Sequence, residues 1–309
     1  MLVINDCDIP DYLDYRILSG ELRHQFMGLS RGTSKVLHRN RLETSHGILD
    51  VMGGIDEEYR IGAVKQYFYG RQIDFLISLF STENSEILAV FPGKKVTRIR
   101  TAAASALATD ILSRADSRVL GCIGAGYQAI EQVRAISQIR NIKRLLVSDV
   151  NAERLQHFKT MMEKELSIEI ETSGSVNKDF KNVDIILTAT TSVYPVISDK
   201  FIGNNCYINS IGSYTPDMRE TEQSTICKSR IVAVDTIEET SRSAGEIIAA
   251  LSSGCIKRTE INELTDLVSG SIKRRADSKS QNSYFKSIGV GIEDLAIARF
   301  LYSSLSGKD

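Results

Sequence analysis

A run of small residues, Gly124-Ala125-Gly126-Tyr127-Gln128-Ala129, directly follows the apolar stretch Val119-Leu120-Gly121-Cys122-Ile123. Strand, turn and helix start is the order that a dinucleotide pyrophosphate requires. The first glycine makes the tight turn and the second removes the Cβ that would keep the backbone from the phosphates. The small Ala129 lets the following helix pack close to the strand. The helix N-terminus then offers free N–H groups and a partial positive charge. Asp149 ends a second such run, Lys143-Arg144-Leu145-Leu146-Val147-Ser148. An acid about 20 residues beyond the glycines accepts hydrogen bonds from the adenosine ribose and favours NAD over NADP. Asp149 also reads as an ordinary helix N-cap before Asn151-Ala152-Glu153-Arg154. The dinucleotide reading assigns Gly124, Ala125, Gly126, Tyr127, Gln128 and Asp149 to an NAD cofactor.

Such a turn needs a parallel sheet behind it. From Arg100 onward the chain alternates helix and strand: a helix over 101–113, then strands at 119–123, 144–148, 168–172, 185–190, 206–211 and 231–234, with helices from Gln128 and over 152–164. That interval predicts an α/β fold with a doubly wound parallel Rossmann sheet. The first hundred residues differ. Residues 11–28 and the segment after them read as an amphipathic helix broken at 28–32. Short strands follow at 47–52, 61–69, 73–80 and 87–91, with turns at Gly53-Gly54, Gly70-Arg71, 82–85 and Pro92-Gly93. Strands joined by tight turns predict a smaller α+β domain with an antiparallel sheet. A last helix over 292–304 follows Gly289-Val290-Gly291 and is open to a return to the first domain.

A chain of 309 residues is long enough for two domains, and its 42% hydrophobic and 25% charged content is ordinary for a globular protein. The net charge of −1 argues against nucleic acid or an anionic membrane as partner. Lys273-Arg274-Arg275 reads as a solvated loop. Five cysteines and four histidines share no metal-ligand spacing, so no metal is expected, and the unclustered cysteines predict reduced thiols in a cytoplasmic protein. No stretch approaches the roughly 18–20 apolar residues of a membrane span, and the N-terminus has no signal-peptide pattern.

Several further segments occur together: Gly62-Ala63-Val64-Lys65, Arg100-Thr101-Ala102-Ala103-Ala104, Ile208-Asn209-Ser210-Ile211-Gly212, Pro216-Asp217-Met218-Arg219-Glu220, Val234-Asp235, Gly245-Glu246, and Phe285-Lys286-Ser287-Ile288-Gly289 leading to Glu293-Asp294-Leu295-Ala296. In this order, and with the glycine turn, they resemble the ornithine cyclodeaminase and mu-crystallin family along nearly the whole chain. The resemblance implies a substrate and dimerisation domain over residues 1–112 with 285–309, an NAD-binding Rossmann domain over 113–284, and a homodimer. It implies a small-molecule amino or imino acid substrate and hydride transfer at the carbon bearing nitrogen and carboxylate. Arg41, Lys65 and Arg100 match the cations that hold the substrate carboxylate, and Ile288 a substrate contact. Arg39 competes with Arg41 because the alignment needs a gap. Lys65, in an apolar strand, is the candidate acid, since desolvation lowers an amine's pKa. Each cation also reads as a surface ion pair. Arg100, Thr101, Thr190, Gly212, Ser213, Tyr214 and Ser287 match cofactor positions, although Thr190 and Ser287 also read as strand-end and turn residues. Val150 stands where NADP-preferring members carry arginine.

One departure bears on the reaction. The family's cyclodeaminases place an aspartate two residues beyond the glycine of the loop after strand 206–211, where it serves as base. Here Tyr214 takes that place, and a phenol with a reference pKa near 10 is a poor base at neutral pH. Deamination needs a base; reduction of a protonated imine does not. The resemblance therefore implies an NAD-dependent reductase of a cyclic imino acid such as 1-pyrroline-2-carboxylate, giving proline. Ornithine cyclodeaminase, alanine dehydrogenase and a non-catalytic binding protein are the alternatives, and Tyr214 also reads as a nucleotide-contact variant.

Overall fold

The computed structural model describes residues 1–70, 73–176, 178–276 and 280–307. The chain divides into two compact units, Met1–Leu107 with Gly289–Asp309, and Ala108–Ile288.

The first unit is α+β. Strand β1 (Leu2–Val3) precedes helix α1 (Tyr15–Arg31), which starts where Asp14 accepts from the Arg16 N–H and ends at Gly32 with φ +80°. The helix runs through the expected break at 28–32 because only its last position needs the left-handed backbone that glycine supplies. Strands β2 (Ser34–Thr44), β3 (Gly47–Asp56), β4 (Ile61–Tyr69), β5 (Ile73–Ser81) and β6 (Ile87–Pro92) form an antiparallel meander, with β1 added parallel to β6. Gly53-Gly54 is not a turn. Both residues lie inside β3, where a Cβ on Gly54 would strike Ile292, and where Gly291 packs against the Gly53 backbone. The glycines let helix α9 (Gly291–Ser306) approach the sheet closely. Pro92-Gly93 is no turn either: β6 passes straight into helix α2 (Gly93–Leu112). The expected turn at Gly70-Arg71 falls partly outside the described residues. The returning helix does join this unit, packing on α1, β3 and β4.

The second unit is an eight-stranded, wholly parallel sheet. Its elements in chain order are β7 (Val119–Ile123), α3 (Tyr127–Ile139), β8 (Arg144–Ser148), α4 (Ala152–Glu165), β9 (Glu169–Ser173), β10 (Ile185–Thr188), β11 (Tyr207–Ser210), α5 (Gln223–Lys228), β12 (Ile231–Val234), α6 (Ile237–Ser243), α7 (Gly245–Ser252), β13 (Ile261–Glu263), α8 (Leu264–Ser269) and β14 (Ser283–Lys286). The strand order is β13-β12-β14-β11-β10-β7-β8-β9. The strand order reverses between β7 and β10, the switch point at which doubly wound sheets open a crevice beyond their strands' carboxyl ends. β13 and β14 were not legible in the sequence, and β14 pairs between β11 and β12. This pairing is why residues 285–288 lie with the second unit. The strands are buried on both faces, as in β10 and β11, where every residue is buried.

Two expectations are corrected. Cys227 and Cys255 are joined in a disulfide, with Cα atoms 5.5 Å apart, rather than held as reduced thiols. Packing of α5 against α7 brings them together, a proximity that a spacing of 28 residues conceals. Arg275 is not solvated: it is buried, and its guanidinium donates to the carbonyls of Cys227 at 2.6 Å and Cys255 at 2.9 Å.

Candidate active site

The first unit gathers buried charge on one face of its sheet. Lys65 sits mid-strand in β4, between Met52 and Ile77 in register, and is 2% exposed. Its Nζ donates to Thr97 Oγ1 at 2.7 Å and Asp294 Oδ1 at 3.2 Å. The ammonium also stands 5.0 Å from the ring centre of Phe75 and 5.8 Å from that of Tyr67. Arg100 follows Thr97 at helical spacing on α2, so both present to the same side. Its Nη1 donates to Glu293 Oε2 at 2.8 Å, and its Nε lies 3.7 Å from Asp294 Oδ1. Glu293 and Asp294 occupy the first turn of α9, the end at which a helix favours acids. Gly289, at φ +80°, lies against the Arg100 guanidinium, which a Cβ there would strike.

Burial pushes the Lys65 amine down to about 8; Asp294 opposes the shift, while Arg100 and Arg39 reinforce it. Burial likewise pushes the Tyr67 phenol up to about 12. A lysine titrating at about 8 beside a fixed arginine can bind a carboxylate and hold or release a proton.

Arg39 and Arg41 are told apart by a bulge. The β2–β3 register runs from Leu37 opposite Gly53 to Asn40 opposite Val51, leaving His38 and Arg39 against Met52 alone. Arg39 thus lies in the row of Met52 and Lys65, and donates to the Gly289 carbonyl at 3.4 Å. Arg41 spends Nε and Nη2 on Asp50, at 2.9 and 2.8 Å. That bond raises the Arg41 pKa. Burial of Asp50 works against its ionisation, but bonds from Arg41 and Tyr67 bring it below the ordinary carboxylate value. The structure therefore gathers Lys65 and Arg100, sets Arg39 beside them, and commits Arg41 to an internal carboxylate. Thr101, expected at the cofactor, donates its hydroxyl to the Thr97 carbonyl at 2.7 Å.

The second unit carries the dinucleotide half. Gly124 has φ +97°, and a Cβ there would lie 2.5 Å from the Ala189 carbonyl oxygen. Gly126 caps α3 with no side-chain hydrogen bond, and a Cβ there would meet nothing within 4 Å. The start of α3 thus has no side-chain cap, at the helix end whose N–H groups and partial positive charge suit an anion. Asp149 accepts from the Ala125 N–H at 2.7 Å and the Asn151 N–H at 2.8 Å. Asn151, not Asp149, caps α4. Among the described residues, Ser287 Oγ and Gln128 Oε1 are buried without a hydrogen-bond partner. An uncapped helix start, a glycine turn and these orphaned polar atoms fit a dinucleotide. Thr190, Gly212 and Ser213 form one cluster around Glu220. Tyr127 and Tyr214 are exposed. Ile288 packs in this unit's core, with its N–H on Asp235 at 2.6 Å.

Sequence reasoning assigned no role to Asp294, Glu293 or Glu220. The signal for the first two was present: adjacent acids that lead directly into the apolar run Leu295-Ala296-Ile297-Ala298 need buried cations.

This is a Rossmann-type α/β protein with a second, α+β unit bearing a buried cation cluster. The model of the ornithine cyclodeaminase/mu-crystallin family matches residues 22–309, and the chain belongs to that family. The structure of Thermococcus litoralis Delta(1)-pyrroline-2-carboxylate reductase in complex with NADH and L-proline is similar to it, with a TM-score of 0.91 and 32% identity over 99% of this chain and 98% of that one. The Delta(1)-pyrroline-2-carboxylate reductase of Bacillus cereus is 28% identical over 255 residues, 82% of this chain and 76% of the relative. The alanine dehydrogenase of Archaeoglobus fulgidus is 30% identical over 234 residues, 76% of this chain and 71% of the relative.

Proposed function

We propose that this protein is an NADH-dependent reductase of a cyclic imino acid, converting 1-pyrroline-2-carboxylate to proline. The observation that carries the reading is the buried pair Lys65 and Arg100, set on Asp294 and Glu293 in the first unit. Two buried cations with planar aromatic neighbours suit a small, flat carboxylate whose remaining surface is apolar. Arg100 and Arg39 supply fork-shaped donors and Lys65 a compact charge, and together they fix the carboxylate. NADH, held on the glycine turn and Asp149, supplies the hydride that the imine carbon accepts. Lys65, its pKa pushed down to about 8, keeps the ring nitrogen protonated while that carbon is electron-poor. Asp149, with Val150 beside it, favours NADH over NADPH.

Reduction rather than cyclodeamination is supported by the loop after β11. Tyr214 stands at the position of the cyclodeaminase base, and Asp217 is exposed and bonded to Thr215 at 2.6 Å. The chain acts as a homodimer. Support comes from the sheet face opposite Lys65, which leaves Leu42, Phe68 and Leu76 exposed. Among the described residues no helix is long and apolar enough to cross a membrane.

The test follows NADH absorbance with 1-pyrroline-2-carboxylate, and ammonia release from ornithine with NAD. Consumption in the first and no ammonia in the second is the expected result. Turnover of pyruvate with ammonia instead would favour alanine dehydrogenation.

A further inference from the structure

Glu220 lies beyond β11 and is fully buried, yet no step of the proposed reaction uses it. Its two oxygens serve two different loops. Oε1 accepts from the Thr190 N–H at 2.6 Å and the Thr190 hydroxyl at 3.0 Å, on the segment that leaves β10. Oε2 accepts from the Gly212 N–H at 2.6 Å and the Ser213 N–H at 3.3 Å, on the segment that leaves β11. The Glu220 carbonyl takes the Val196 N–H at 2.7 Å, closing the first loop from its far end. The loops are packed so tightly that a Cβ on Gly212 would meet the Thr190 backbone.

Behind Glu220 stands a second buried acid with a shared counter-ion. Lys286 Nζ is 3.3 Å from Glu246 Oε1 and 3.8 Å from Glu220 Oε2, and all three side chains are buried. Glu246 accepts from the Ser213 hydroxyl at 2.6 Å, and the Ser210 hydroxyl lies 3.1 Å from both carboxylates. Two buried carboxylates face one buried ammonium. A buried charge persists only where donors solvate it, and here those donors are the backbone N–H groups of the loops. The loops are thereby bound to Glu220 by charge-assisted bonds, stronger than neutral ones. The first follows β10, at the switch point where ligands of doubly wound sheets lie, and the second follows β11, the next strand in the sheet.

We propose that Glu220 is a positioning residue that locks the loops after β10 and β11 into one coenzyme-binding edge, with Lys286 and Glu246 setting its charge and orientation. The inference rests on the NADH reading above and adds to it the residue that preorganises the edge.

The test compares the full-length wild type with Glu220→Gln and Glu220→Asp by calorimetric titration with NADH and by steady-state kinetics with 1-pyrroline-2-carboxylate. Glutamine keeps the shape but turns one acceptor into a donor, so one loop loses its bonds. Glu220→Gln should raise the NADH Kd and KM by about tenfold or more, the worth of one or two charge-assisted bonds. The imino-acid KM should stay within about twofold, and kcat at saturating NADH within a few-fold, a split that general loss of structure does not produce. Glu220→Asp keeps both acceptors on a shorter arm and should recover part of the affinity; it decides the matter alone if Glu220→Gln does not fold. Val232→Ala, in the core of the same sheet, lowers Tm without touching the loops and should leave the NADH Kd unchanged. NADH binding within twofold of wild type in Glu220→Gln would overturn the proposal, as would wild-type affinity in Glu220→Asp where Glu220→Gln does not fold. So would an equal loss of affinity in Val232→Ala. A wild type that binds no NADH would instead overturn the coenzyme reading beneath it.

Discussion

Lys65 has a different meaning as a buried residue than as a strand residue in a sequence. Removal from water pushes its pKa down to about 8, and Asp294 is the partner that opposes the fall. If the ammonium form holds the carboxylate and proton, kcat/KM for imine reduction is constant at lower pH and falls as pH rises through about 8. Asp294→Asn removes the opposing charge, so the pKa drops further and the falling limb moves to lower pH. A pH–rate profile of the two proteins checks both statements; an unmoved limb would remove the Lys65–Asp294 pair from the account. The arginines make a second contrast. Arg39→Ala should raise the imino-acid KM by about 10- to 100-fold with little change in Tm, as a lost charged contact does. Arg41→Ala strands the buried Asp50 carboxylate and should cost about 1–3 kcal/mol of stability, read as lower Tm with a smaller effect on KM. At this scale the sequence was legible for Lys65 and Arg100, whose neighbouring residues are distinctive. It was silent between Arg39 and Arg41, because a β-bulge adds one residue to a strand without leaving a mark in its composition.

At the scale of elements, the glycine turn was legible because each small residue answers a separate steric demand, and the structure shows the first of these at Gly124. The strands 119–123, 144–148 and 231–234 were read with the bounds they have, since continuous apolar runs bounded by turns leave little choice. Gly53-Gly54 shows the limit. Paired glycines signal a turn in isolation, but here they clear space for a helix distant in sequence. Gly291 is the other side of that contact, where a Cβ would lie 2.5 Å from the Gly53 Cα. Gly291→Ala should therefore lower stability by about 1–3 kcal/mol, the usual cost of overpacking. It should also raise the imino-acid KM, because Glu293 and Asp294 ride on the same helix start. Thermal unfolding with parallel kinetics checks this, and wild-type Tm would show that α9 has room to move. β14 escaped notice for a similar reason. Its four residues are few and mixed in character, and its place between β11 and β12 is set by partners far along the chain.

At the scale of the whole molecule, the alternation of strand and helix made the parallel sheet legible, short strands joined by turns led to the α+β unit, and the family segments led to the returning helix. The Cys227–Cys255 disulfide was hidden, because pairing depends on which helices pack, not on cysteine spacing. Association is a property of this scale as well. Phe68→Asp and Leu76→Asp place charge on the exposed apolar face of the first unit's sheet. Light scattering should report a dimer for the wild type and a monomer for the double variant. A monomeric wild type would remove the dimer from the proposal.

NADH absorbance in the presence of 1-pyrroline-2-carboxylate is the test of whether NADH reduces a cyclic imino acid on this protein. Saturable NADH consumption with proline as product is expected, lost in Lys65→Ala while NADH still binds. NADH binding without consumption, alongside ammonia and proline formed from ornithine with NAD, would contradict it.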